Sequence, residues 1–89
     1  MSLKSYLQHA IQTLCPEARL VRGDPIKERQ MVDTLYVTKR ESIRAFILQE
    51  IESKGVPSQR QHVIRMWESM EKNPEVYKER LLMEIRENV

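Results

Sequence analysis

Apolar residues recur along this chain at spacings of three and four, and four short breaks interrupt the pattern: Pro16, Gly23 with Pro25, Gly55 with Pro57, and Asn73 with Pro74. The first stretch carries Leu3, Leu7, Ala10, Ile11 and Leu14, with Tyr6 at the border, which predicts a helix over 3–14 with one buried stripe. Pro16 makes continuation past Cys15 unfavourable. Ile43, Phe46, Ile47 and Ile51 form a second stripe, widened by Ala45 and Leu48. Thr38 and Glu41 read as a capping box that starts this helix at Lys39, and Gly55 reads as the left-handed residue that stops it. Glu50 and Lys54 add a pair in the favourable order.

A second capping box, Ser58 with Gln61, introduces Val63, Ile64, Met66, Trp67 and Met70, in a helix running to about Lys72 with Glu68 and Lys72 paired. Asn73 then reads as an N-cap, with Pro74 at the first helical position and Glu75 suited to the dipole. The last helix, over 74–87, turns Tyr77, Leu81 and Ile85 inward, flanked by Val76, Leu82 and Met83.

The stretch 18–37 supports two readings. Asp24-Pro25 is another cap signal, and Met31, Val32, Leu35 and Tyr36 have helical spacing. Thr34–Thr38, however, alternates and is rich in strand formers. The helix, from Pro25 to about Tyr36, is the favoured reading; Ala18–Arg22 is compatible with extended chain, although a lone strand needs an edge to pair with. The fold class that follows is an all-α bundle of four to five short helices, with one short strand near 34–38 as the alternative.

Length changes this picture in one respect. Eighty-nine residues form one domain, 1–89, with a modest core, so cover from a partner would stabilise it. Hydrophobic residues at 40% and charged ones at 31% describe a globular chain rather than a disordered one. Fifteen basic and thirteen acidic residues leave a net +2, too little to define a partner. The excess lies in the middle: ten basic against six acidic residues between Arg19 and Arg65. A single cysteine rules out an intrachain disulfide and suits a reducing, cytoplasmic location. No run approaches a membrane span, no signal-peptide core is legible at the N-terminus, and no segment suits a membrane surface.

Catalytic and metal chemistry find little support. Cys15, His9 and His62 fall in different segments without ligand spacing. Two glycines do not build a phosphate-cradling loop, and no nucleophile-elbow or zinc-protease motif occurs. A non-enzyme without metal, cofactor or small-molecule substrate is expected. Two kinds of binding surface compete. Lys39, Arg40 and Arg44 open one helix, and Arg60 and Arg65 another; cations in a first turn oppose the dipole unless a phosphate arrives. With Thr34–Thr38 as a strand, strand–helix–turn–helix over about 40 residues resembles the plan of the ribbon-helix-helix repressors, which implies a dimer reading the major groove. Leu35 and Val37 would then face the core, and Thr34, Tyr36 and Thr38 the bases. A helix-turn-helix over 39–54 and 59–72 is weaker, because Trp67 and Met70 make its second helix apolar. Against nucleic acid stands protein binding. Met66, Met70, Met83 and Trp67 form an adaptable apolar surface, and Ala45 and Leu48 offer a second face for a homodimer or another protein partner. The favoured expectation is a protein-interaction module that self-associates or joins a complex.

Overall fold

The four prolines each open a helical segment, and this sets the architecture. The computed structural model describes residues 2–88. Its elements are α1 (Leu3–Leu14), a 3-10 segment (Pro16–Val21), α2 (Pro25–Thr38), α3 (Arg40–Lys54), α4 (Pro57–Glu71) and α5 (Pro74–Asn88). Proline lacks the N–H that a first turn cannot satisfy, and its fixed φ suits the helix start. The fold is a small all-α bundle, as the spacing predicts, and no strand occurs among the described residues.

The connections are short. Lys39 alone separates α2 from α3, and two residues each separate α3 from α4 and α4 from α5. Short connections force consecutive helices into contact. α1 runs through the middle, packing on α3, α4, α5 and the 3-10 segment, with Leu7, Ala10 and Ile11 wholly enclosed. α2 lies antiparallel on α5, tied by Glu28 to Arg86, Arg29 to Glu79 and Asp33 to Lys78. One core cluster joins these faces: Ile43, Ile47 and Ile51 from α3, Val63, Trp67 and Met70 from α4, and Tyr77, Leu81, Leu82 and Ile85 from α5. Trp67 and Tyr36 each meet the Tyr77 ring edge-on, at centroid separations of 5.5 and 5.7 Å.

Several local expectations give way to tertiary demands. Thr34–Thr38 is helical, not a strand. Val32 and Leu35 are buried on this helix, and that burial outweighs the strand propensity of the threonines and valine. Thr34 and Thr38 donate their hydroxyls to the carbonyls of Gln30 and Thr34 within α2. Thr38 is therefore no N-cap. α3 starts at Arg40 after Lys39, without a side-chain cap. The Ser58–Gln61 box is likewise absent: Pro57 takes the first position of α4, so Ser58 falls inside the helix and Val56 precedes it. Ala18–Arg22 is not extended; Ala18 to Val21 belong to the 3-10 segment, with Ala18 fully buried. Gly55 is not left-handed, having φ −73° and ψ 148°. It is required for space, because a Cβ there would collide with the Ile51 carbonyl and press on Arg60 Cγ and the Tyr6 hydroxyl. The two other caps form as anticipated. Asp24 Oδ1 accepts from the Lys27 N–H at 3.2 Å, and Asn73 Oδ1 accepts from the Val76 N–H at 3.4 Å.

Candidate protein-binding groove

Most of the basic helix starts are engaged in contacts within the fold. Lys39 Nζ donates to the Leu14 carbonyl at 2.8 Å. The cation that sits badly at the start of α3 thus serves the C-terminal end of α1, where the dipole favours it. Arg40 donates to the Tyr36 hydroxyl at 3.0 Å and stacks over that ring, with Lys78 also 4.8 Å from its centroid. Arg44 donates to Glu71 at 2.7 Å and pairs with Glu41, joining α3 to α4; the Glu71 carboxylate holds its guanidinium above the ordinary range. Arg60 folds against Gly55, its Nε buried. Only Arg65 is freely exposed.

The residues expected at a protein interface also separate. Trp67 is buried beside Tyr77, Met70 is nearly buried, Ala45 is exposed and Leu48 packs partly against the core. Met66 and Met83 remain exposed, at 43% and 47%.

Met66 belongs to a shallow, open groove of about 540 Å³ at the junction of α4 and α5, bordered at one side by Leu3 at the start of α1. Helical periodicity builds it. Residues 62, 65, 66, 69 and 70 share one side of α4, and 76 and 80 share one side of α5, set against each other by the two-residue connection. Leu3 and Met70 are its most buried lining residues, at 7% and 6% exposure. Met66 and Val76, the latter 46% exposed, supply further apolar lining. The polar lining comprises Ser69, Asn73, His62, Arg65 and Arg80, and among the described residues no carboxylate takes part. Arg80 Nε is buried and makes no hydrogen bond among the described residues.

Beside Arg80 on α5 lies Glu84, fully buried, with the Gln8 side chain as the hydrogen-bond donor beside its carboxylate. Burial pushes its pKa up from the ordinary 4.5, against the opposing influence of Gln8, Arg80 and Lys4. The Gln8 Nε2 is itself buried.

Other polar clusters hold the bundle together. Glu28, buried, accepts from the Gly23 N–H and from Arg86 Nε, both at 3.0 Å; these bonds lower its pKa. His9 Nδ1 lies 2.7 Å from Glu50, whose other oxygen pairs with Lys54, and the imidazole meets Phe46 edge-on. This pair ties α1 to α3. Cys15 is buried, its Sγ 3.7 Å from Met31 Sδ, and burial pushes its thiol up to about 11. A thiol so placed is a poor nucleophile at neutral pH. No group of three or more metal-ligating side chains occurs among the described residues, and no helix there is long and apolar enough to cross a membrane.

Met66, Met70, Arg65 and His62 were legible in the sequence as candidates or neighbours of the apolar stripe. Leu3, Val76 and Arg80 were not assigned to a site. One signal was present: Met66 and Val76 lie off the main stripes of two helices separated by two residues. Comparison with known proteins gives no match, whether to family models, to curated proteins or to solved structures.

Proposed function

We propose that this chain is a non-enzymatic protein-interaction module that receives a segment of a partner protein in the groove between α4 and α5. The observation that carries this reading is the exposure of Met66 and Val76 within a concave, mainly apolar surface. Isolated exposed apolar residues are ordinary on a protein surface. Two that line one groove from two helices give an inserted apolar side chain contacts on both sides. Methionine adds adaptability, since its unbranched, polarizable side chain conforms to an incoming shape at low cost.

Binding nucleic acid through the basic helix starts is less well supported. Lys39, Arg40 and Arg44 are already engaged with Leu14, Tyr36 and Glu71. A phosphate would have to displace these contacts, and the strand required by a ribbon-helix-helix dimer is helix.

The test uses displayed 16-residue helical peptides whose apolar face is randomised, selected on the protein. Selected clones are then measured on a Met66→Gln/Val76→Thr variant, whose two changes lie on exposed side chains and alter no charge. Clones that bind the variant at least about tenfold more weakly, a loss of roughly 1.4 kcal/mol, are the expected result. If every selected clone binds both proteins equally, the groove is not the binding surface.

A further inference from the structure

We infer that the segment received in this groove is an acidic amphipathic helix from a different protein; this rests on the reading of the groove as a protein-binding site. The charge pattern of the lining is the first argument. Arg65, Arg80 and His62 line the groove and no carboxylate does among the described residues, although the chain as a whole is nearly balanced. Three carboxylates of α4 and α5 are engaged elsewhere, Glu71 with Arg44, Glu79 with Arg29 and Glu84 in the interior, while the exposed Glu68 and Glu75 lie outside the lining.

The same pattern argues against a second copy of this chain as the occupant. A two-fold dimer apposes one patch to itself. Two such grooves brought together would set Arg65 and Arg80 of each copy against those of the other, with no carboxylate from the lining between them. Like charges juxtaposed at an interface suppress association. An acidic partner removes that conflict and gains from it.

Shape selects the helix. The α4 wall runs from His62 to Met70, eight residues or about 12 Å. An amphipathic helix presents anchors at i, i+3 or i+4, and i+7, spread over about 11 Å. The groove volume of about 540 Å³ suits the side chains of one such face, leaving the flanking positions beside the cations. Carboxylates on the flanks of the apolar face then meet Arg65 on one side and Arg80 on the other.

The experiment compares two displayed libraries with the same randomised apolar face, one with glutamate and one with lysine fixed at the flanking positions. Groove-dependent clones, defined by loss on the Met66→Gln/Val76→Thr variant, should come from the glutamate library. Arg65→Glu, a change at an exposed position, should weaken glutamate clones by roughly three- to fivefold or more, the scale of an exposed ion pair. It should also improve binding of the lysine library. Groove-dependent clones without preference for glutamate would overturn the acidic partner and leave the groove reading intact. An absence of groove-dependent clones in both libraries overturns the groove reading and this inference with it. Two controls give further overturning outcomes. One is dimerisation near 100 µM that the Met66→Gln/Val76→Thr change abolishes, which would make the occupant a second copy. The other is tight binding of duplex DNA, weakened by Arg65→Glu, which would make the cations a phosphate site.

Discussion

Replacing Glu84 by methionine should stabilise the protein, and the gain should depend on pH in a defined direction. Glu84 is fully buried, and its carboxylate has only the buried Gln8 amide beside it as a hydrogen-bond donor, in poor geometry. Each unsatisfied buried polar group costs about 1–3 kcal/mol. The nearby charges of Arg80 and Lys4 offset part of this, and the negative Glu87 works the other way. Methionine matches the length and unbranched shape of glutamate and carries no strong polar group; because it leaves the buried Gln8 Nε2 and Arg80 Nε without the carboxylate, the net gain expected at pH 8 is about 1 kcal/mol. The folded-state pKa is raised above the ordinary 4.5 because burial disfavours the charged form. The folded protein therefore holds this proton more tightly than the unfolded chain. Below pH 4.5 the carboxyl is neutral in both states and the ionisation penalty is absent. As pH rises from 4.5 through the raised value the wild type loses stability at this group, and above that value the loss is complete. Urea unfolding followed by the fluorescence of Trp67, the only tryptophan, measures the difference. With a slope of about 1 kcal/mol/M for a chain this small, a gain of ~1 kcal/mol moves the midpoint by about 1 M. The variant should gain most at pH 8 and clearly less at pH 4. A variant less stable than the wild type at pH 8 would show that Arg80 and Lys4 more than compensate the burial. An equal gain at both pH values would show that packing, not charge, is responsible.

Two further substitutions probe the core and the α3–α4 corner. Ile47→Ala removes a fully buried side chain from the centre of α3 and should cost about 2–5 kcal/mol in urea unfolding; a loss below 1 kcal/mol would contradict the burial of that face. Gly55→Ala should destabilise by about 1–3 kcal/mol, because the new methyl meets the Ile51 backbone carbonyl. Its thermal midpoint should fall by several degrees, at about 4–8 °C per kcal/mol for a domain of this size; an unchanged or higher midpoint would refute the steric account.

Sequence alone determined four of the helices, α1, α3, α4 and α5, and the main inward positions of each. Leu7, Ile11, Ile43, Ile47, Trp67, Tyr77 and Ile85 are all buried where helical spacing places them, because the period of an α-helix converts spacing into direction without knowledge of the partner. The caps at Asp24 and Asn73 were legible for a related reason: cap, proline and first turn are neighbours in the chain. Where two local signals competed, tertiary structure chose. At Ser58 the adjacent Pro57 displaced the capping box, and at Thr34–Thr38 burial of Val32 and Leu35 overrode strand propensity. The cations at the helix starts were visible as an anomaly, but their partners were not. Leu14, Tyr36 and Glu71 lie 25, 4 and 27 residues from Lys39, Arg40 and Arg44, and only folding brings the distant two within reach. The groove belongs to the same class. Leu3, Met66, Val76 and Arg80 come from three helices, and no spacing rule relates them. A periodic pattern reports which way a side chain faces within its own helix. Which cations remain unpaired, and which apolar residues remain uncovered, depends on how the helices are set against one another.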